Sequence, residues 1–399
     1  MKNILLVAIL FFLLSPLFSQ TFTAMDIGSI GEHLNGIHFV SNNKGVVVGN
    51  GGQILITSDG SNWVPRTSGV TADLSDVKYL DSNTIIAVGW GIVIKSTDSG
   101  LSWSPIYPGG AYNLLSVYVN GTDLYATGQN GVIIKSIDEG DSWTSVSPGT
   151  GAHIFKLCFA SPTVGFAVGN DGYIHKTTNG GASWDYDDTP SDFQLRSVYF
   201  TDADNGYIVG RSLVANVSIF MRTANGGATW SSEFVYGANY IDIEFLSNEI
   251  GFIIGQNEGN VGAIFRTIDG GVSWNFLETT SRSLTDITFS NLNAGVGYIC
   301  GFNGSIYKST NIVLDVEILE NDDVLSIYPN PTFDKVTILL HPSIKSKYHL
   351  LIQVYSISGK KLISTENTDF IDFSEMPAGV YIMNVQNDTN HWTKKIIKN

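Results

Sequence analysis

Carboxylates and hydroxyls stand close together at several points of the chain, each time shortly before a tryptophan. In the string STDSGLSW, residues 96–103, Asp98 lies between serines and is followed by Gly100. A carboxylate beside a hydroxyl could act as the general base of a hydrolase. The same residues suit a tight turn, because an Asp side chain accepts hydrogen bonds from backbone N–H groups and Gly adopts positive φ. Taken alone, the string fits an active site or a turn.

Six copies of this string occur, with their tryptophans 40, 40, 41, 46 and 44 residues apart. One active site cannot be copied to six positions of a fold. Two copies have Asn in place of Asp, which preserves a turn and removes acid-base chemistry. We therefore predict a structural turn in every copy. The predicted turns contain Asp59, Asp98, Asp138, Asn179, Asn225 and Asp269, followed by Trp63, Trp103, Trp143, Trp184, Trp230 and Trp274.

The repeat period of just over forty residues indicates a solenoid or a propeller. Each unit has an apolar opening strand such as LSDVKY, a second strand ending in Gly such as IIAVG, a third strand before the turn and a fourth strand from the Trp. Four short antiparallel strands per unit are typical of a propeller blade. Seven opening strands occur, so residues 21–312 are predicted to form an all-β, seven-bladed β-propeller.

The seventh unit stops before a fourth strand. Residues 21–29 have the apolar-polar pattern of a fourth strand, with Phe22 in the place of the tryptophan. We predict that this N-terminal strand completes the last blade, because closure of the ring removes two exposed sheet edges.

Ligands usually bind a propeller on the face formed by the loops from second to third and from fourth to first strands. Trp90 lies in one such loop, where it could stack on a sugar or a partner, or pack against the next loop. Arg211 begins an insertion in another, and inserted loops serve partners or are simply tolerated. The third residues of the opening strands are predicted to line a mixed, mildly acidic channel mouth. The charged ones are Asp76, Lys156, Asp242 and Asp286.

Metal binding is suggested by one acidic segment, DYDDTPSD, which is predicted to be a loop. Asp185, Asp187 and Asp188 supply oxygen ligands that could hold Ca²⁺, although a solvated acidic loop is the alternative. The seven His residues form no zinc-binding pair. Cys158 and Cys300 lie on apolar strand segments and are predicted to be buried free thiols.

The net charge of −15 argues against nucleic acid as a partner, because nothing would offset phosphate repulsion. Residues 1–20 have a Lys, an apolar run of about 15 residues and then small polar residues, which predicts a secretory signal peptide. The run is shorter than the roughly 18 to 20 residues of a membrane span. No membrane span is expected in the mature chain.

The pattern changes at residue 324, after an acidic linker predicted over residues 313–323. Strands such as IQVYSIS and GVYIMNV are separated by Pro and Gly turns and lack the Trp turn. Residues 324–399 are therefore predicted to form a small β-sandwich.

The turn motif resembles the Asp-box of BNR repeats, and the unit FAVGNDGYIHKTTNGGASW is similar to the repeats of photosystem II assembly-factor propellers. This resemblance implies seven blades and an Asp-box on the face opposite the usual ligand site. Sialidases share the box but also carry an R-I-P motif, which this sequence lacks.

The tail resembles the type A C-terminal sorting domain of the type IX secretion system. Tyr328, Pro329, Asn330 and Pro331 open it, and the segment PAGVY at residues 377–381 leads its late strand. The resemblance implies passage across the outer membrane, then removal of the tail with surface attachment or release.

The leading hypothesis is a secreted, cell-surface propeller that acts by binding, as an adhesin, scaffold or assembly factor, with an unknown protein or glycan as its partner. The competing hypothesis is a glycoside hydrolase of the sialidase-like propeller type, which would use carboxylates on the loop face. The chain is more consistent with a non-enzymatic module.

Overall fold

The computed structural model describes two compact units, one within residues 1–312 and one within residues 313–399. The described ranges are 22–28, 31–188, 192–212, 214, 217–236, 238–257, 261–290, 295–309, 325–328, 332, 334–340, 350–356, 360–386 and 391–398. The predicted signal peptide and the predicted linker lie outside these ranges, so their assignment stays a prediction.

The first unit consists of short strands that form seven blades around a channel, which confirms the predicted propeller. Its strands are β1 (Thr23–Ala24), β2 (Leu34–Phe39), β3 (Gly45–Gly49), β4 (Gln53–Thr57), β5 (Val64–Thr67), β6 (Leu74–Tyr79), β7 (Ile85–Ser96), β8 (Ser104–Asn120), β9 (Asp123–Gly128), β10 (Ile133–Ser136), β11 (Thr144–Ser145), β12 (Ile154–Phe159), β13 (Gly165–Gly169), β14 (Tyr173–Thr177), β15 (Asp185–Asp188), β16 (Phe193–Phe200), β17 (Asn205–Ser212), β18 (Val217–Ala224), β19 (Ser231–Tyr236), β20 (Ala238–Phe245), β21 (Gly251–Asn257), β22 (Gly262–Thr267), β23 (Asn275–Thr280), β24 (Leu284–Phe289), β25 (Gly297–Gly301) and β26 (Ser305–Ser309). Short 3₁₀ turns follow the second strand in four blades, at Asn50–Gly52, Gln129–Gly131, Asn170–Gly172 and Phe302–Gly304.

Five blades are separate four-stranded antiparallel sheets, and blades 2 and 3 share one six-stranded sheet. Blade 1 is β2 to β5, blade 4 is β12 to β15, blade 5 is β16 to β19, blade 6 is β20 to β23, and blade 7 is β24 to β26 with β1. In the shared sheet, β7 spans the second and third strands of blade 2, and β8 runs on into the first strand of blade 3. The prediction of four separate strands is wrong for these two blades. Trp90 pairs with Asn113, which keeps the connections within β7 and within β8 extended.

The ring closes as predicted, through the N-terminal strand. Strand β1 pairs antiparallel with β26, with Thr23 opposite Lys308. Phe22 is buried and meets the Phe252 ring edge-on at 6.0 Å, and its backbone N–H donates to the Glu278 carboxylate at 2.5 Å. Because Trp63 meets Phe39 edge-on in the same manner, Phe22 takes the place of the missing seventh tryptophan.

Every innermost strand has a β-bulge near its start. In blade 2 the register shifts between Leu74 and Asp76, and the equivalent shift occurs in all seven blades. A bulge inserts one residue into a strand, so the apolar residues that pack between blades are the first, fourth and sixth, here Leu74, Val77 and Tyr79. The second and third side chains are both left facing the channel mouth.

The second unit is a β-sandwich, as predicted. Its strands are β27 (Leu325–Tyr328), β28 (Lys335–Leu340), β29 (Leu351–Ser356), β30 (Lys361–Glu366), β31 (Phe370–Asp372), β32 (Gly379–Gln386) and β33 (His391–Lys398). They form a three-stranded sheet, β27-β28-β31, and a four-stranded sheet, β30-β29-β32-β33. Val336 and Ile371 of the first sheet pack with Ile352, Val354 and Met383 of the second in one buried core.

Candidate functional site

A cavity of about 530 Å³ opens at the mouth of the central channel. It is lined by side chains from several blades, so no single repeat could form it. All six predicted binding residues lie on its wall: Asp76, Trp90, Lys156, Arg211, Asp242 and Asp286. The structure therefore brings together residues that are up to 210 positions apart in sequence, as Asp76 and Asp286 are.

The floor of the cavity is an ion cluster centred on Lys156. Its Nζ lies 2.6 Å from Asp242 Oδ1 and 3.5 Å from Asp286 Oδ1. Burial disfavours the ammonium charge, but the two carboxylates raise the pKa of Lys156 above its ordinary value. Lys156 is thus a cation that the protein itself neutralises.

Three of the floor carboxylates also connect one blade to the next. Asp76 Oδ2 accepts the Val117 N–H at 2.9 Å, from the innermost strand of blade 3. Asp286 Oδ2 accepts the Ile37 N–H of blade 1 at 2.9 Å, and Asp242 Oδ2 accepts the Ile287 N–H of blade 7 at 3.3 Å. These carboxylates therefore satisfy buried backbone donors, which is a structural role.

Burial controls the ionisation of the acids in the channel. It raises the pKa of Asp286 to about 7 and that of Glu244, deeper on strand β20, to about 8. Burial acts on Asp242 in the same direction, but the adjacent Lys156 ammonium holds its pKa below the ordinary value. At neutral pH the channel thus carries less negative charge than its residue types suggest.

In five blades, the residue that follows the last Gly of the second strand lines the rim of the cavity; these residues are Asn50, Trp90, Arg211, Gln256 and Phe302. A Cβ at Gly89 would overlap the carbonyl oxygen of Asp73, which explains the Gly, and the Trp90 N–H donates to that oxygen at 2.9 Å. Trp90 is 64% exposed, so the alternative of packing against the next loop is wrong. Phe302, the rim residue of blade 7, stacks on His33 at 4.1 Å.

Arg211 lies in strand β17, whereas the sequence predicted that it lies in a loop. The insertion lengthens the hairpin of β17 and β18, in which Arg211 pairs with Ser218. The longer hairpin still carries the Arg211 side chain to the cavity wall.

Sequence reasoning missed the second residues of the opening strands, among them Phe155 and Arg196, and the rim residue Phe302. The sequence does contain a signal for them: in each opening strand apolar residues stand at positions one, four and six, as the buried residues Leu195, Val198 and Phe200 do. This spacing breaks the period of two of a regular strand and indicates a bulge.

The Asp-box turns lie between third and fourth strands. Asp98 Oδ1 accepts the Ser102 N–H at 2.9 Å and Oδ2 accepts its hydroxyl at 2.6 Å, which hold the pKa of Asp98 down at about 2. The turn contacts the loop between first and second strands, since the Ser99 N–H donates to the Asn83 carbonyl at 2.8 Å. It therefore lies at the end of the blade opposite the cavity, with no role in the site.

The acidic segment suggested for calcium lies in strand β15, so its assignment to a loop is wrong. Alternation along a strand puts Asp185 and Asp187 on one face and Asp188 on the other, and the Asp188 side chain lies outside the described residues. Within the described part of the chain, no group of three or more His, Cys, Asp or Glu is placed to hold a metal ion. Calcium binding stays a prediction that the strand geometry does not favour.

Both cysteines are buried and free, as predicted: Cys158 on β12 and Cys300 on β25. Burial raises the pKa of both thiols above the ordinary value. Both cysteines therefore pack in cores between blades, and their thiols are poor nucleophiles.

Two family models match parts of the chain. Residues 326–399 match the model described as Secretion system C-terminal sorting domain, and residues 146–236 match the one described as Photosynthesis system II assembly factor YCF48. The chain thus combines a β-propeller, of which residues 146–236 match YCF48-like repeats, with a C-terminal segment that matches the sorting domain. The sorting domain supports export by the type IX secretion system to the cell surface or the exterior.

The photosystem II assembly lipoprotein Ycf48 of Synechococcus sp. (strain CC9902) is 31% identical over 129 residues, which are 31% of this chain and 37% of the relative. The match thus spans little more than a third of that protein. The structure of YCF48 from Cyanidioschyzon merolae aligns with a TM-score of 0.58 and 18% identity, covering 72% of this chain and 98% of that one. A structure of YCF48 bound to D1 peptide also aligns at 0.58 and 18%, covering 73% and 98%. At such identities the structural likeness shows the fold alone.

Among the residues that the structure describes, no helix has the length and apolar character needed to cross a membrane.

Proposed function

We propose that this protein is a secreted binding module whose propeller holds an extended segment of a partner protein at the channel mouth, either on the cell surface or after release. The single observation that carries the proposal is the cavity of about 530 Å³, with Trp90 64% exposed on its rim. A large exposed aromatic beside a concave, mixed wall is typical of a binding site. The YCF48 structure with a bound peptide supports a peptide as the ligand of such a propeller.

The floor of the cavity favours binding over catalysis. Asp76, Asp242 and Asp286 all accept backbone N–H groups of the next blade. A carboxylate used in this way is held in place and has fewer acceptor sites left for a substrate. The exposed rim, in contrast, has side chains that are free to touch a ligand.

Selection from a random heptapeptide library on the full chain tests the binding function. We expect enriched peptides that lose affinity on Trp90→Ala, while Tyr186→Ala, which removes a 53% exposed aromatic on strand β15, leaves binding unchanged. A library with no enriched peptide would refute peptide binding. Saturable binding to a glycan array instead would make the ligand a sugar.

Export has a separate test. A chain that ends at residue 323 should accumulate in the periplasm of a host with the type IX system, while the full chain reaches the surface or the medium. Surface appearance of the truncated chain would refute the export role of residues 324–399.

A glycoside hydrolase is the second candidate, because the ionisation of Asp242 and Asp286 differs within one cluster. Burial raises the pKa of Asp286 to about 7, while that of Asp242 is lowered, and such pairs can divide acid and base roles. Turnover of a glycan panel by the full chain, lost on Asp286→Asn, would support this candidate. Absence of turnover together with peptide binding would reject it.

A further inference from the structure

The cavity wall has two chemically different halves. Blades 7 and 2 contribute the exposed aromatic side chains Phe302 and Trp90, whereas blades 4 and 5 contribute Phe155, Arg196 and Arg211. The cationic half is unexpected in a chain of net charge −15. A ligand that spans the mouth would therefore meet apolar groups on one side and positive charge on the other.

Within the described residues, Arg196 is a cation without an ion-pair partner. Its guanidinium stacks over the Phe155 ring at 4.3 Å, and the side chain is half-buried on the cavity wall. Across the described ranges, no carboxylate forms an ion pair with Arg196 or with Arg211. Asp242 is the acid that acts on Arg196 through space, but it is held by Lys156 at 2.6 Å.

A second guanidinium adds to this unbalanced charge. Arg211 donates through Nε to the Gln194 side-chain oxygen at 3.1 Å, and among the described residues its terminal nitrogens make no hydrogen bond. Burial first, and then the charge of Arg211, lower the pKa of Arg196 to about 10. Two like charges that repel each other in a partly desolvated wall are costly unless an anion joins them.

We propose that Arg196 and Arg211 form a carboxylate subsite, so that the segment bound at the mouth presents an acidic group there and an apolar side chain to Trp90 or Phe302. The proposal rests on the proposed peptide-binding function. Guanidinium groups pair with carboxylates through two parallel hydrogen bonds, which gives direction as well as strength. The carboxylate would come from an Asp or Glu side chain or from a peptide C-terminus.

The heptapeptide library tests this chemistry when it is displayed in two forms, one with a free C-terminus and one joined to the carrier at both ends. Selection on the full chain should enrich Asp or Glu in the form joined at both ends if side chains fill the subsite. Enrichment only with free C-termini would assign the terminal carboxylate. A selected peptide should lose about tenfold in affinity when its acidic residue becomes the amide, and the difference should shrink at high salt.

Matched variants locate the subsite. Arg211→Gln should remove the preference for the acidic peptide over its amide form, and Arg196→Lys, which keeps the charge but loses the planar fork, should reduce it. Arg222→Gln makes the same charge change on strand β18 directly before the Asp-box turn of Asn225, at the other end of the blade, and should leave the preference intact.

Enriched peptides that carry no acidic residue in the form joined at both ends, with no preference for free C-termini either, would overturn the carboxylate subsite and leave the binding function standing. So would an acidic preference that persists in Arg211→Gln and Arg196→Lys. A library with no enriched peptide would overturn the binding function itself, and the subsite with it.

Discussion

At the level of single residues, the Asp-box turn works equally well with a carboxylate and with an amide. In blade 4, Asn179 Oδ1 accepts the Ser183 N–H at 3.0 Å and its Nδ2 donates to the Ser183 hydroxyl at 2.9 Å. In blade 2, the Ser102 hydroxyl donates to Asp98 instead. The serine hydroxyl is thus a donor in blade 2 and an acceptor in blade 4, and the turn keeps both hydrogen bonds to the serine without a charged residue.

Asp98→Asn is therefore expected to leave the thermal midpoint nearly unchanged. Asp98→Ala should lower it by a few degrees, because the Ser102 N–H loses its acceptor. Thermal unfolding of the two variants beside the wild type checks this. A large loss in Asp98→Asn would show that the carboxylate does more than hold the turn.

A buried histidine should make the propeller sensitive to acid. His175 on strand β14 is fully buried, packs near Tyr173 and Tyr186, and within the described structure neither ring nitrogen has a hydrogen-bond partner. Burial lowers its pKa from 6.5 to about 4. The unfolded chain then takes up the proton first as the pH falls below 6.5, so the free energy of unfolding should drop by about 2 kcal/mol at pH 5.

His175→Leu should remove this part of the acid loss, since Leu55 occupies the equivalent buried position of blade 1. Denaturant unfolding at pH 7.5 and pH 5 measures it in both proteins. An identical loss of stability in the variant would assign the acid sensitivity to other groups.

The role of a residue was predictable where its type alone defines the chemistry, and not where the backbone decides its direction. Trp90 and Lys156 stood out in the sequence because one is a Trp between two turn glycines and the other is the lone cation at its position. Arg196 looked like an ordinary alternating residue of a strand. Only the bulge between Leu195 and Ser197 turns it into the cavity.

At the level of elements, the two-residue strand β1 holds the ring closed. The pairing itself is short, Thr23 with Lys308 and Ala24 with Tyr307. Phe22, which is 5% exposed, adds a buried aromatic contact between blades 6 and 7.

Phe22→Ala should lower the free energy of unfolding by about 3 kcal/mol, since it empties a buried aromatic site and weakens the closing contact. The control is Phe276→Ala on strand β23, where the ring is 57% exposed and little change is expected. Denaturant unfolding measures both. Equal stability of the two variants would contradict closure by the N-terminal strand.

The number of blades and the closure followed from the sequence because the repeat period and the Phe22 segment are local patterns. The six-stranded sheet did not, because it depends on Trp90 pairing with Asn113 across a connection that in other blades is irregular. The acidic strand β15 escaped prediction for a related reason. Pairing with β14 places Asp185 opposite Lys176 and overrides the poor strand propensity of Asp.

At the level of the whole molecule, the two units have separate cores. Among the described residues, Val336, Ile352 and Met383 belong to a core made of residues of the second unit, and the blade cores are made of residues of the first. Separate cores unfold as separate cooperative transitions.

Calorimetry of the full chain should thus show two transitions. A chain ending at residue 323 should retain the larger one at an unchanged midpoint. A single transition, or a propeller midpoint that falls by many degrees on truncation, would show that the sorting domain contributes to propeller stability.

The rim residues have one more consequence, which concerns how new binding specificities can be made. In blades 1, 2 and 7 the rim residue is anchored by its main-chain N–H to a carbonyl of the same blade, as Trp90 is to Asp73. This hydrogen bond does not depend on the side chain. The floor carboxylates, in contrast, accept backbone N–H groups of neighbouring blades and cannot be varied in the same way. Randomising Asn50, Trp90 and Phe302 together would diversify the contact surface while the ring stays intact, which makes this propeller a scaffold for engineered, exported binders.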